Sequence, residues 1–476
     1  MALSYSDPWL RRIYFSLPNF MREGMAAVYS MKRHRVRFGG VFQSHLAKLQ
    51  ANAGRTAEEH AADQLRRLRS TLSYAGVHCP YYREVFHKVG FEPDAVRALT
   101  DLQRLPLLDK EMVRSQADRL LAVPLPSRTI RGKTSGTTGT ALEGVITEEA
   151  SQRQNATLWF HISWAGIQWG ERWALFGAQP VALPDSLRPP FWVLDRYEKE
   201  LVFSTQHMTP AALPEYARAL ANYRPALICG FPSAIHLMAL YLIETARSDI
   251  RPKSVFTWSE NLLGYQRKAI EEAFGCRVYS SYGNGEHTGH LLQCERGNFH
   301  VVPETCVIEV LDSLGNPAHP GEMGELVCTS LVERAMPLIR YRIGDTATAA
   351  EGLCSCGRTT PIVSEISGRT HNFILGRDGR RLGPVDCLLK SALRIKEAQF
   401  VQNEPGLVCI RVVPRTDYGP ADKASLIETA HQKLGSQVDV TIEVVDAIPR
   451  LANGKFPFVV LNLEHSTLER LEGLVA

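Results

Sequence analysis

Apolar and polar positions change rhythm along this chain. Up to about residue 125 the apolar positions keep a helical rhythm, as in QSHLAKLQANAGRTAEEHAADQLRRLRSTLSYAG before a Pro-Tyr-Tyr turn, which predicts helices. From about residue 130 short apolar runs (RWALFG, PALICGF, KSVFTWS, CRVYSSYG) alternate with helical stretches such as TPAALPEYARALANY and LGYQRKAIEEAFG. That alternation predicts βα units around a sheet. In the last of these helices Lys268 stands four residues before Glu272, and Ala269, Ile270, Ala273 and Phe274 form the inward stripe. After Thr305 strands dominate (CVIEVLD, GELVCTS, PLIRYRIGD), separated by Pro-Gly and Leu-Gly breaks. A boundary falls near residue 370, and beyond it LVCIRVV, ADKASLIETAHQKLG, VTIEVVDAI and PRLANGKFPFVV read as a small α/β domain. The expected class is α/β. A helical lead-in over 1–125 belongs to a large N-terminal domain whose core spans 126–370, and a small C-terminal domain spans 371–476.

Composition narrows the function classes. A chain of 476 residues exceeds what one core usually holds, so at least two domains are expected. Apolar content of 45% and charged content of 22% exclude a disordered chain. The formal charge is only +4 and the basic residues are scattered, which argues against a nucleic-acid or lipid-surface binder. No apolar run is long enough to span a bilayer, and the start, MALSYSDPWLRR, lacks the apolar core of a secretory signal. The expected compartment is the cytoplasm, and the expected state a monomer or homodimer.

The segment with most chemistry in least length is Lys133–Gly139, KTSGTTG, with three hydroxyl side chains and two glycines in seven residues. Glycines let backbone N–H groups turn toward an anion, and Ser135, Thr137, Thr138 and Gly139 complete a loop suited to a polyphosphate. ATP is therefore the first ligand to consider, with a polar surface turn as the plain alternative. A Walker A loop is excluded, because no glycine stands five residues before the Gly132-Lys133-Thr134 triplet. In a reducing compartment the ten cysteines form no disulfide framework. Cys79, Cys229, Cys276, Cys306, Cys328, Cys387 and Cys409 read as small buried hydrophobes. LCSCGRT and QCERGNFH differ: Cys354, Cys356, Cys294 and His300 make a set of three thiols and one imidazole, the complement of a closed tetrahedral zinc site. Unrelated buried cysteines and a surface histidine are the alternative.

KTSGTTG, SSYGNGEHTGH, PLIRYRIGDTA, SGRTHNFILGR and ANGKF, in this order, resemble the adenylate-forming superfamily, in its phenylacetate–CoA ligase and CapK-type branch. The stretch CPYYREVFHKVGFEPDAVRALTDLQRLPLLDKEMVR resembles the lead-in of that branch, so the resemblance runs from about residue 60 over nearly the whole chain. It implies a large adenylation domain, a small mobile C-terminal domain and two half-reactions in one cleft. A carboxylic acid and ATP give an acyl-adenylate and pyrophosphate, and a thiol, usually that of coenzyme A, then takes the acyl group. It also implies roles. Ser135, Thr137, Thr138 and Gly139 hold phosphates, Glu286 helps to hold Mg²⁺, Tyr282 flanks the adenine, and Gly283 belongs to the nucleotide-binding set. Asp345 accepts from the ribose hydroxyls, Arg369 lies near the ribose and α-phosphate, and Lys455 arrives over the α-phosphate for adenylation. In part of the branch a zinc is held by three cysteines and a histidine, matching Cys294, His300, Cys354 and Cys356.

The chain departs from the family pattern at three places. His371 and Asn372 stand where relatives carry an acidic pair at the hinge, TGTAL replaces TGxP, and Ser259-Glu260 occupies the place of Gly-Ala-Glu. The second half-reaction depends on hinge geometry, so three acceptors stay open beside coenzyme A: an amine, an alcohol and a carrier protein. A non-catalytic binding module is the remaining reading, although Lys455, Asp345 and Glu286 are all retained. Trp159, Phe160, Trp164, Trp169, Phe231 and Trp258 either wall a pocket for an aromatic acid or fill the core.

Overall fold

In the computed structural model the helical lead-in is cut at Ala53-Gly54, and Thr56 restarts it. The Thr56 side chain accepts from Glu59 N while the Glu59 carboxylate accepts from Thr56 N at 2.9 Å, a reciprocal cap that opens the helix Ala57–His78. Described are residues 14–133, 143–179, 181–183, 186, 188–369, 374–378, 380–382, 385–389, 394–435, 438–451 and 454–463. Leu68, Leu72 and Ala75 of that helix bury a face against Tyr82, Phe86, Leu338, Ile339 and Tyr341, so the lead-in and the later strands share one core. The helices Asn19–Phe38 and Gly40–Asn52 bring Phe38 and Phe42 onto Trp159 and Ile162 of the helix Glu148–Ser163 and onto Trp173 of the strand Trp173–Gly177.

Among the described residues one sheet of twelve strands forms the body of the large domain. Glu200–Ser204, Trp173–Gly177, Leu227–Gly230, Ser254–Thr257 and Val278–Gly283 run parallel, with Trp192–Asp195 antiparallel at the edge. Val278–Gly283 then pairs antiparallel with His290–Gln293 and opens an antiparallel half continuing through Phe299–Val301, Ile362–Arg369, Tyr341–Ala349, Met323–Ser330 and Cys306–Leu311. The parallel half is buried along its strands, as sheets covered on both faces are. Its helices, Leu213–Tyr223, Pro232–Glu244 and Gly264–Phe274, pack Tyr216, Ile235, Met238, Ile270 and Phe274 into one cluster. Gly230 holds φ +132°, and a Cβ there would meet Phe176 O at 1.9 Å, so only glycine lets these strand ends lie so close.

The small domain is a four-stranded sheet in the order Asp439–Val444, Leu407–Pro414, Ile395–Glu404, Val459–Leu461, covered by the helix Pro420–Leu434. Its core joins Ile374, Val385, Leu388, Phe400, Ile410, Leu426 and Ala430, and Tyr265 of the large domain packs against it. No helix among the described residues is long and apolar enough to cross a membrane.

His236 lies in the apolar helix between the two domains, with its ring edge-on to Tyr265 at 5.2 Å. Burial pulls its pKa down to about 3 from 6.5. The unfolded chain therefore takes up a proton below about pH 6.5 that the folded chain refuses, and stability contributed by this site falls as pH drops from there toward 3. His236→Phe should lose less stability between about pH 7.5 and about pH 5.5 than the natural protein. Equal changes in the urea midpoint would contradict this.

Candidate active site

Four consecutive parallel strands end at one edge, and each hands the chain to a residue of the site. Thr205 follows Glu200–Ser204, Phe231 follows Leu227–Gly230, Glu260 lies just beyond Ser254–Thr257, and Tyr282 and Gly283 close Val278–Gly283. In doubly wound sheets the carboxyl ends of parallel strands are where ligands bind, and here the edge lies beside the change from parallel to antiparallel pairing.

The turn after Tyr282 is fixed by Asn284, whose Oδ1 accepts from Thr288 N at 2.9 Å and Gly289 N at 3.2 Å. Asn284 Nδ2 donates to Thr288 Oγ1 at 2.6 Å. The segment is thereby locked by its own side chain, with His287 held at φ +57°. Tyr341 Oη donates to Glu286 Oε1 at 3.4 Å, which sets the partly buried carboxylate against the strand that carries Asp345. Tyr282 Oη donates to Asp345 Oδ2 at 2.5 Å. Burial first, and then the Asp345 carboxylate, push the Tyr282 hydroxyl well above its ordinary pKa, so it remains a donor. Asp345 pairs in register with Arg369 across the two strands. The Arg369 side chain, Ser135, Thr137, Thr138, Gly139 and the hinge residues His371 and Asn372 lie outside the described residues.

Lys455 reaches this edge on a loop of the small domain. Gly454 N donates to Leu451 O at 2.8 Å and Leu451 N to Lys455 O at 3.0 Å, closing a tight turn. Arg450 pairs with Glu397, both buried, and lies 4.6 Å over the Phe456 ring. On the large domain's side Thr205 Oγ1 donates to Gly454 O at 3.2 Å, and Glu260 Oε1 accepts from Phe456 N at 2.7 Å. Thr205 had no sequence signal beyond its place after an apolar run. Glu260 stands out in the sequence only as the glutamate kept where relatives carry Gly-Ala-Glu.

Cys294, His300, Cys354 and Cys356 come together, with their ligand atoms all within 4.8 Å of one another. Cys294 Sγ lies 3.6 Å from Cys354 Sγ, and Cys356 Sγ 3.3 Å from His300 Nε2. His300 Nδ1 meets Thr360 Oγ1 at 3.0 Å, which turns Nε2 toward the thiols. Arg296 N and Asn298 Nδ2 donate to Cys294 and Cys354 sulfur at 3.4 and 3.2 Å, contacts that suit thiolates. Gly357, at φ +87°, forms the turn that aims both sulfurs of the C-x-C pair inward. Burial pushes the Cys294 thiol up to about 12, so ionising it calls for a nearby cation. The donor set fits a metal ion. Of the other cysteines, Cys79, Cys229, Cys306 and Cys328 are buried, Cys276 and Cys409 are half-buried, and the Cys387 side chain is outside the described residues.

The aromatic residues divide. Trp159 packs edge-on against Trp169, Trp169 lies tilted against Phe38 and Phe42, and Phe231 joins the core of the parallel half. Trp164 sits under Arg358 at 3.8 Å, beside the thiol cluster, with Phe160 against it. Trp258 is half-buried at the end of its strand. Most of these rings therefore serve packing.

Residues 382–462 match the CapK C-terminal domain family. Protein CapK of Staphylococcus aureus is 24% identical over 84% of this chain and 89% of its own length. A phenylacetate-coenzyme A ligase of Thermus thermophilus is 28% identical over 67% of this chain and 72% of its own. A 2-hydroxyisobutyryl-CoA ligase, solved in the postadenylation state with R3-HIB-AMP, superposes with a TM-score of 0.69 over 89% of this chain and 94% of that one, at 21% identity. The fold is thus that of this ligase, a large mixed-sheet domain followed by a small one. The chain is homologous to CapK and to the phenylacetate–CoA ligases, the branch its motifs resemble.

Proposed function

We propose that this relative of CapK and the phenylacetate–CoA ligases joins a carboxylic acid to coenzyme A in two steps, with ATP as the activating reagent. In the first, a carboxylate oxygen bonds to the α-phosphorus of ATP, the bond from that phosphorus to the bridging oxygen breaks, and pyrophosphate leaves. In the second, the thiol sulfur of coenzyme A bonds to the acyl carbon, its proton is lost to solvent, and AMP departs. The observation that carries this reading is the docking of the Lys455 loop on the strand-end edge that also bears Tyr282, with Asp345 and Glu286 beside it.

Two anions meet in the first step, so fixed positive charge near the α-phosphate lowers its barrier. Lys455 supplies a compact cation that travels with the small domain. Asp345 and Tyr282 form one hydrogen-bonded unit for the nucleoside, and Arg369, paired in register with Asp345, serves the same end. Lys133 opens the phosphate loop, in which Ser135, Thr137, Thr138 and Gly139 hold the leaving phosphates. Glu286 is the carboxylate suited to Mg²⁺, which when bound would offset charge on the triphosphate. Cys294, His300, Cys354 and Cys356 would hold one structural zinc, a closed site with no part in bond making.

The purified protein, given Mg²⁺, ATP and a panel of aryl, alkyl and hydroxy acids, is expected to exchange labelled pyrophosphate into ATP with its own acid. Thioester should follow when coenzyme A is added. No exchange with any acid, together with no binding of ATP, would overturn the reading. Exchange without thioester would move the acceptor to an amine, an alcohol or a carrier protein.

A further inference from the structure

The backbone on either side of Lys455 is held by two different strand ends of the large domain. Ser259 sits at φ +68°, a left-handed conformation uncommon for a residue with a Cβ, and the next residue is Glu260. The Glu260 carboxylate is engaged by two main-chain donors. Its Oε2 accepts from Ser233 N, in the first turn of the helix Pro232–Glu244, at 3.2 Å, and its Oε1 accepts from Phe456 N at 2.7 Å. On the other side of the lysine, Thr205 Oγ1 donates to Gly454 O at 3.2 Å. Gly454 holds φ +76°, and a Cβ there would come within 2.4 Å of Thr205 Oγ1. The approach is therefore one that only glycine permits. From within the small domain, Arg450 braces the same turn through Glu397 and the Phe456 ring.

From this geometry we infer that Glu260 and Thr205 are positioning residues that seat the loop 454–456 and so aim Lys455 for adenylation. This rests on the acid-activation reading proposed above. A carboxylate suits the task, because the two donors lie on opposite sides of it, Ser233 N at Oε2 and Phe456 N at Oε1, and an amide would turn its NH₂ group toward one of them. The two contacts that cross to the loop, Glu260 with Phe456 N and Thr205 with Gly454 O, are both to main chain and both end when the loop withdraws, so they favour the seated position without hindering transfer once it is left. A contact that merely glued the domains together would act on both half-reactions alike.

The test uses the full chain and four substitutions: Glu260→Gln, Thr205→Val, Thr205→Ser and Lys455→Ala. Glu260→Gln and Thr205→Val should each lower pyrophosphate exchange about tenfold, the loss of a single well-placed hydrogen bond. Thioester formation from a supplied acyl-adenylate should change less than about twofold. Thr205→Ser keeps the hydroxyl and should exchange as the natural protein does. Adding Glu260→Gln to Lys455→Ala should cost nothing further, because a residue acting only through the lysine has nothing left to aim. Unchanged exchange in Glu260→Gln, equal losses in the two half-reactions, or additive losses in the double variant would each overturn the inference. Trypsin cleavage after Lys455 gives a readout that needs no substrate, and it should be faster in Glu260→Gln and Thr205→Val than in the natural protein. Faster cleavage with no exchange by the natural protein would leave the grip standing and remove the acid-activation reading. Exchange by the natural protein with cleavage unchanged in both variants would do the reverse.

Discussion

Lys455→Ala is expected to lower pyrophosphate exchange by about 10²-fold or more while transfer from a supplied acyl-adenylate falls far less. The size follows from what is removed. A cation facing developing negative charge in a cleft that excludes water commonly contributes a few kcal/mol to the transition state, and each 1.36 kcal/mol is about tenfold in rate. The asymmetry follows from the fold. Lys455 stands on the small domain, and its loop meets the large domain through the hydrogen bonds at Gly454 and Phe456. A group that reaches the nucleotide on a separable domain can serve one step and be withdrawn for the next. Lys455→Arg should recover only part of the activity, since a planar, longer guanidinium does not replace a point charge on a loop whose neighbours are fixed. Equal losses in exchange and transfer would instead indicate damage to the small domain.

Much of this was legible in the residues, for physical reasons that differ from place to place. The parallel strands could be read because they are short apolar runs between amphipathic helices, and Ala269, Ile270, Ala273 and Phe274 are buried as their spacing predicts. The strands Cys306–Leu311, Met323–Ser330 and Leu407–Pro414 fall on CVIEVLD, GELVCTS and LVCIRVV. The strand Ile395–Glu404 escaped, because IKEAQFVQNE places Glu397, Gln399 and Gln402 on buried positions where polar residues signal exposure. Their partners come from elsewhere: Arg450 for Glu397, Pro457 O for Gln399, and the Leu375 backbone for Gln402. The aromatic segment after the phosphate loop is the helix Glu148–Ser163 and its exit, and it belongs largely to a core built with Phe38 and Phe42. Periodicity cannot separate a ring that packs from a ring that binds. The thiol cluster could be read from residue type, while Thr205 and Glu260 could not be found by any spacing rule. Their importance comes from main-chain donors and acceptors brought up by another domain.

The cysteine cluster leads to the other large effect, on stability rather than on rate. The natural protein, purified without added metal, should carry about one zinc ion per chain, and the double variant Cys354→Ser, Cys356→Ser should carry almost none. The four ligands bridge two walls of the site. Cys294 follows His290–Gln293, the strand paired with the one that bears Tyr282, and His300 lies in the next strand, Phe299–Val301. Cys354 and Cys356 follow the strand that bears Asp345. The segments that present Tyr282 and Asp345 are already joined by the hydrogen bonds from Tyr282 to Asp345 at 2.5 Å and from Tyr341 to Glu286 at 3.4 Å, and the cluster adds a further tie between them. Four soft donors gathered in one place are costly to bury without a cation, and metal binding to such a set is folding free energy. The double variant should therefore melt about ten degrees or more below the natural protein, as losing several kcal/mol in a chain of this size would require. Below its melting range the ratio of exchange to transfer should stay as in the natural protein, because a closed metal site makes no bond to substrate. A full zinc content in the double variant, or a metal-free natural protein with undiminished stability, would show that these thiols serve packing alone.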